Sequence, residues 1–426
     1  MANTALKIWI ATLVAGIMLA TGAAVHAQDK VPWTHPGPLL PDSSNFVTAS
    51  LLVASPGEAL YSSYGHCALR MECPVHNLDY CFSFEMKFDD SLQDYLSFFA
   101  GNVQSHIIAV PTIKYVDGYK KEGRGIKQYE LNFSTHEKQE LWRALDNDYI
   151  DEQFRKYNLI ENNCSSILFA TLLNAPIDRK VEFGELPNHF KWNNGQMVRH
   201  DAHLSPWTQF LDITFLGTES DGYCKLINKI SPESFGPVIK TMQLVASDGS
   251  KVPLFVAEKE LLPVRLTVEP TKWSPTLIFS IILLCIILLT ILEKLGKCKK
   301  LGEIVDVILL VLQAVIGIIL IYTSFISGLF GKHWNWYLIP FNPLPLIIWL
   351  LWHKRKEFYK VYLFYTVVLV LFILATPLSE QLDLPHQLIT ATLAVRCFYN
   401  YYDGKRQATT AAIKTKTTKK QTKLKK

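Results

Sequence analysis

The sequence predicts an α+β exported domain followed by a five-helix transmembrane domain. Three observations predict this. The chain begins with an export signal. A mixed, globular stretch then runs to about residue 270 and carries five cysteines and eight histidines. Beyond it, residues 275–402 are mostly Leu, Ile, Val and aromatics, more apolar than a soluble surface tolerates. The 426 residues are 49% hydrophobic and 19% charged, which excludes a disordered chain. The net charge of +5 comes from the end of the chain: Gly404–Lys426 holds nine Lys and Arg and no acid, and without it 34 basic residues face 38 acidic ones. A nucleic-acid-binding body is therefore disfavoured. The expected divisions are a signal peptide (1–27), a periplasmic domain (28–270), a membrane domain (271–403) and a basic cytoplasmic tail (404–426).

The export signal has Lys7 as its positive region, an apolar stretch from Ile8 to Val25, and small residues for cleavage at Val25-His26-Ala27. The polar, proline-containing sequence that follows, Asp29-Lys30-Val31-Pro32, fits cleavage better than an uncleaved anchor. Five apolar segments follow residue 270, at about 275–292, 304–327, 337–352, 361–376 and 385–402. The first two reach the roughly 20 residues a spanning helix wants; the last three are short. Basic residues mark cytoplasmic loops. They cluster at Lys294, Lys297, Lys299 and Lys300, at Lys354, Arg355, Lys356 and Lys360, and in the tail. This alternation puts the tail inside and residues 28–270 outside, in the periplasm of a bacterial inner-membrane protein, as the export signal also requires. The tail reads as a disordered topogenic segment. The third segment contains Pro340, Pro343 and Pro345, so it reads either as a broken, re-entrant entry or as an aromatic interfacial belt with a kink.

Five exported cysteines, Cys67, Cys73, Cys81, Cys164 and Cys224, cannot all pair within one chain. Cys73 and Cys81 flank a Pro-Val-His-Asn turn and are placed to close a hairpin. Cys164 is the candidate working thiol. Asn163 is a good N-cap before the apolar run Ile167–Leu173, which sets Cys164 in the first turn of a helix. There the free N–H groups and the helix dipole favour a thiolate and can receive an oxyanion. Position alone is equally consistent with a small buried structural cysteine. A nucleophilic thiol needs a base. His66 opens a short strand after Tyr61-Ser62-Ser63-Tyr64-Gly65, and a second strand, Leu78–Phe84, follows through the turn. A satisfied histidine at a strand start is the plainer reading of His66. His136 falls in a capping box opened by Ser134 and closed by Glu137. His200 and His203 lack a third ligand at recognisable spacing, and neither HExxH nor CxxC occurs, so no metal and no cofactor is expected.

The order Gly-His-x-Ala-Leu-Arg, a following strand, a helix, then Asn-Cys-Ser at a helix start resembles the exported DUF4105 domain of the Bacteroidota lipoprotein N-acyltransferases (Lnb-like). Its His-then-Cys order is similar to the permuted papain-like (NlpC/P60) arrangement. The resemblance covers about residues 45–270 and rests on Tyr61–His66, Glu122-Gly123-Arg124, Asn163-Cys164-Ser165-Ser166 and Ser205-Pro206-Trp207, with Asn342-Pro343-Leu344 in the membrane part. The family's second strand usually reads Tyr-Asn-Tyr-Gly, where this chain has Tyr80-Cys81-Phe82-Ser83. The family's Arg soon after Asn-Cys is replaced by Ile167-Leu168.

The resemblance implies an envelope acyltransferase. Cys164 is its nucleophile and His66 its base, with Tyr64, Tyr80 and Asn163 in support. Tyr80, Ser83 and Glu85 are the candidates to orient His66. Arg70, His333, Asn335 and Asn342 are candidates for binding substrate, although Arg70 reads more simply as a solvated arginine. The donor would be a membrane phospholipid or a lipid-modified lipoprotein, and the acceptor a lipoprotein N-terminus. Two other readings stand beside it: a cell-wall cysteine peptidase or amidase, and a non-enzymatic envelope binding protein with a structural Cys164.

Overall fold

The computed structural model describes residues 47–424, apart from 59–61, 87–92, 94–96, 99, 152–153, 176–177, 187, 267, 328, 330–332 and 356. The expected signal peptide lies outside the described residues. The chain divides into two compact units. One comprises residues up to Gln209, Gly222–Pro270 and Ser327–Lys332; the other comprises Phe210–Asp221, Thr271–Ile326 and His333–Lys426. The short stretch Phe210–Asp221 thus belongs with the helical unit, although it precedes residue 270.

The first unit is built on an antiparallel sheet. Its strands are β1 (Thr48–Ala54), β2 (His66–Cys73), β3 (Leu78–Met86), β4 (Gln104–Pro111), β5 (Ile126–Leu131), β6 (Arg155–Lys156) and, after a separate three-stranded sheet of β7 (Arg179–Glu182), β8 (Gln243–Ala246) and β9 (Lys251–Pro253), the closing strand β10 (Phe255–Leu262). The order is β10-β5-β1-β2-β3-β4-β6. Helices of this unit are α1 (Thr112–Lys121), α2 (Thr135–Ile150), α3 (Cys164–Asn174), α4 (Asn194–Asp201), α5 (Pro206–Leu216, which runs on into the second unit) and α6 (Pro232–Ile239).

Strand alternation decides which helix covers which face. On β1 and β2, Ala49, Leu51, Cys67, Leu69, Met71 and Cys73 join Trp142 of α2, Leu168, Phe169 and Leu172 of α3 and Phe235 of α6 in the main core. Leu52, Ala54, Ala68 and Cys81 join Val110, Ile126 and Tyr115 of α1 in a smaller cluster. Phe169 and Phe235 meet edge to face, with centroids 5.4 Å apart, an arrangement worth roughly 1 kcal/mol beyond area burial. The same alternation corrects the expected hairpin bridge. Cys73 and Cys81 belong to clusters on opposite faces, and all five exported cysteines are free thiols. The capping box at Ser134 forms as expected, with Glu137 N–H donating to Ser134 Oγ (3.2 Å) and Ser134 N–H to Glu137 Oε2 (2.7 Å).

The second unit holds α7 (Pro275–Lys294), α8 (Lys299–Phe325), α9 (Leu344–Trp352), α10 (Tyr359–Leu374) and α11 (Leu384–Leu424). Among the described residues these five α-helices follow residue 270. Among the described residues, α7 and α8 are long and apolar enough to cross a membrane. The third segment is broken. A single 3-10 turn, Trp336–Leu338, precedes α9, whose nine residues span about 13 Å. Its irregular carbonyls find donors inside the unit. Pro340 O accepts from Gln313 Nε2 (2.6 Å) and Tyr365 Oη (2.9 Å), and Ile339 O accepts from Asn342 Nδ2 (2.9 Å). That is the condition on which non-helical backbone is tolerated at membrane depth. The fifth segment does not give way to a disordered tail. Helix α11 runs through Gly404 to Leu424, because Ala, Lys, Gln and Arg propagate a helix and no proline interrupts. Buried Arg396 of α11 ties the bundle, donating to Glu293 of α7 (2.6 Å) and Asp306 of α8 (2.6 Å).

Candidate active site

The site forms where the N-terminus of α3 meets the start of β2. The loop before α3 is fixed by its own polar groups. Asn158 Oδ1 accepts from the N–H groups of Ile160 and Glu161 (both 2.9 Å), and Asn163 Nδ2 donates to Leu159 O (2.8 Å). Asn163 then caps the helix, accepting from Ser166 N–H (2.9 Å), while Ser166 Oγ accepts from Asn163 N–H (3.0 Å). Cys164 is the first helical residue, where the dipole favours negative charge. On the facing strand, Gly65 adopts φ +81°, and a Cβ there would come 2.7 Å from Ala54 O. Only glycine lets the turn bring His66 in as the first residue of β2.

His66 and Cys164 are near enough for each to shift the titration of the other. The other side of the imidazole faces Glu85, with Nε2 3.8 Å from Oε1, and Ser83 Oγ donates to the same carboxylate oxygen (2.9 Å). Strand register puts Glu85 there. Leu69 pairs with Phe82, and the same ladder carried three residues further sets His66 opposite Glu85. Of the three candidates to orient His66, Glu85 is thus the one whose carboxylate reaches the ring and Ser83 the one that holds it, while Tyr80 packs against the main core. Register counted outward from the turn singles out Glu85 among the three.

A second thiol lies at the site that sequence reasoning did not single out. Cys67 Sγ donates to Ser165 Oγ (3.6 Å), the hydroxyl that also sits 3.8 Å from Cys164 Sγ. These contacts set the electrostatics. The Cys164 thiol is held well below its ordinary range by the neighbouring Cys67 thiol and the His66 imidazole, against the opposing effect of burial. Burial works against a charged His66, yet Cys164 and Glu85 raise its pKa overall, with Arg124 acting the other way. Burial pushes the other exported thiols up: Cys67 and Cys73 rise, Cys81 reaches about 12 and Cys224 about 11. Among the thiols of this unit, Cys164 alone is shifted towards the thiolate, the form that attacks carbon.

The remaining candidates have settings of their own. Tyr64 stands in the turn leading to His66. The Arg70 guanidinium is engaged, gripping Asp79 with two bonds of 2.8 Å and donating to Gln128 (3.1 Å). In the helical unit, Asn335 is fully buried. It donates to Thr214 O (2.7 Å) and accepts from Tyr337 N–H (2.9 Å) and Gln381 Nε2 (2.6 Å). His333 Nε2 contacts Phe215 O (3.1 Å), and Asn342 Oδ1 accepts from the N–H of Leu344, the first residue of α9 (3.1 Å). Among the described residues no group of three or more His, Cys, Asp or Glu side chains is placed to hold a metal ion.

No curated protein and no solved structure matches this chain. Two domain-family models do. Residues 42–190, which hold both His66 and Cys164, match the Lnb N-terminal periplasmic domain, and residues 267–408 match the Lnb transmembrane domain. The two matches together span most of the chain, so the chain belongs to the Lnb family, as a membrane protein with a periplasmic N-terminal region.

Proposed function

We propose that this protein is a lipoprotein N-acyltransferase of the bacterial inner membrane, moving a fatty acyl chain through a Cys164 thioester to the α-amine of the lipid-modified N-terminal cysteine of envelope lipoproteins. The observation that carries the reading is the pairing of the one thiol shifted towards the thiolate with a histidine backed by a carboxylate, in a chain of the Lnb family.

The chemistry follows from the contacts. The Cys164 thiolate adds to the ester carbonyl of the donor. Capping occupies Ser166 N–H, so the N–H groups of Cys164 and Ser165 at the start of α3 serve the oxyanion. Collapse of the adduct breaks the ester C–O bond, and protonated His66 gives its proton to the leaving alcohol. The lipoprotein amine then attacks the thioester, neutral His66 takes the proton from nitrogen, and the amide forms as the Cys164 thiolate departs. Glu85 keeps the ring oriented and supports its charge. Both substrates are anchored in a membrane, which accounts for an active domain tethered to apolar helices. In this reading five crossings leave the C-terminus in the cytoplasm.

A cysteine peptidase of the cell wall would use the same pair but has no need of a membrane domain. The deciding experiment expresses the wild type and Cys164→Ala in cells that lack their own lipoprotein N-acylation and weighs the N-terminal lipopeptides. One added amide-linked chain with the wild type only is expected. An added chain with both, or with neither, overturns the assignment.

A further inference from the structure

Arg124 precedes β5 and is 4% exposed. Its Nε donates to Ser55 O (2.7 Å), its Nη1 to Glu122 Oε2 (3.0 Å), and its guanidinium carbon lies 4.6 Å from the centre of the Tyr119 ring. Its Nη2 is buried and donates to nothing. Among the described residues this is the one arginine nitrogen both buried and unpaired. The comparison with Arg396 is direct, because there Nε, Nη1 and Nη2 all donate, to Asp306, Glu293, Thr290 and Gly302. A buried guanidinium donor without an acceptor is costly, and the planar fork of arginine suits phosphate and carboxylate oxygens.

The position of this donor relative to the site is set by the sheet. Ala54, the last residue of β1, pairs with His66 on one side and Ile126 on the other. The next residue, Ser55, clamps the arginine. Its carbonyl takes Arg124 Nε, its N–H donates to Gly125 O (2.9 Å), and its Oγ accepts from Gly125 N–H (3.0 Å). Arg124 is therefore held at the same end of the sheet as His66, with two strand spacings, roughly 10 Å, between the strands that carry them. Room for its side chain is kept by Gly57, where a Cβ would come 2.5 Å from Ser62 Oγ and 3.1 Å from Arg124 Cδ. The arginine charge is felt at His66, where it opposes protonation. Its one carboxylate partner, Glu122, is half exposed and engages Nη1 alone.

Resting on the acyltransferase reading, we propose that Arg124 Nη2 binds the phosphodiester oxygen of a glycerophospholipid acyl donor and so places the neighbouring ester carbonyl at Cys164. Of the two donors that reading allows, the diacylglyceryl group of a lipoprotein carries no anion, whereas a phospholipid carries one a glycerol unit away from its esters. A buried guanidinium with one idle donor, at the same sheet end as the base, matches the second.

The test loads Cys164 of the purified full-length protein in detergent and follows the thioester by intact mass. The donors are phosphatidylglycerol, an uncharged p-nitrophenyl ester of the same chain, and a synthetic diacylglyceryl lipopeptide. Arg124→Gln is expected to lower the preference for phosphatidylglycerol over the uncharged ester, measured as the ratio of kcat/KM values, by at least tenfold, chiefly through KM. Arg124→Lys, which keeps the charge and guards against misfolding, is expected to restore part of it. Equal losses on both donors, or an unchanged ratio, overturn the proposal. Wild type that loads from the lipopeptide but not from phosphatidylglycerol overturns it too, while leaving the N-acyltransferase reading intact. Wild type that loads from none of the three removes that reading as well.

Discussion

Two histidines, one in each unit, are built in opposite ways. His386, in the helical unit, is saturated. Its Nδ1 is bonded to Asp383, its Nε2 lies 2.6 Å from Thr214 Oγ1, and its ring is stacked between Tyr337 (3.8 Å between centroids) and Phe210 (4.3 Å). Nothing is left for a substrate. His66, in the sheet unit, has a carboxylate at 3.8 Å on one side and a thiol shifted towards the thiolate on the other. The buried arginines divide in the same way: Arg396 is bonded at three nitrogens and Arg124 keeps one idle. A polar group whose capacity is filled from within the fold holds the fold together, and one that is left underfilled is available for chemistry.

This contrast breaks first at the nucleophile. Cys164→Ala is expected to lower acyl transfer at least about a thousandfold and His66→Ala by roughly a hundredfold or more, with melting temperatures close to wild type. A comparable loss from His386→Ala without destabilisation would erase the distinction between the histidines. That variant should instead lose about 3 kcal/mol from the helical unit, since two ring stacks vanish and Asp383 and Thr214 lose a partner. Thermal unfolding in detergent measures it, and the alkylation rate of Cys164 by iodoacetamide should not change. Glu85→Gln sharpens the comparison more gently. The carboxylate helps to raise the His66 pKa, so its loss lowers that value. In wild type, activity rises as pH passes the lowered Cys164 value and falls as it passes the raised His66 value. In Glu85→Gln the alkaline limb should therefore move to lower pH, with kcat down about tenfold.

The smallest effect concerns Asp146 of α2, buried to 6% exposure with Oδ1 unpaired and pushed up from 3.8 to about 7 by burial. A raised folded-state value means that the contribution to stability is complete below the unfolded pKa, near pH 4, and lost as pH rises through about 7. Asp146→Asn should therefore flatten the fall in stability between pH 5 and pH 8 and gain about 1–2 kcal/mol at pH 8. Unchanged pH dependence would show that water reaches the carboxylate.

Local signals in the sequence carried a good part of this molecule. Ser134 with Glu137, Asn163 before Cys164, the apolar run of α3, and α7 and α8 are all written in neighbouring residues, because caps, dipoles and apolar runs act over one or two turns. Other expectations failed where distance entered. The Cys73–Cys81 bridge looked short along the chain, but the pleat sends the two side chains to opposite faces. The basic tail looked disordered, but α11 carries its helix through to Leu424.

By itself, then, the sequence determined the two-part plan, the membrane helices, the capped first turn that holds Cys164 and the strand that begins with His66. Only the tertiary structure decided which side chains meet. It opposed Glu85 to His66 through strand register, brought the Cys67 thiol up to Cys164 and clamped Arg124 at the same sheet end. The physical reason is range. Capping and periodicity are settled within a few residues, whereas the charges that turn a thiol into a nucleophile come from groups nearly a hundred positions away, which only the folded sheet and its helices can bring together.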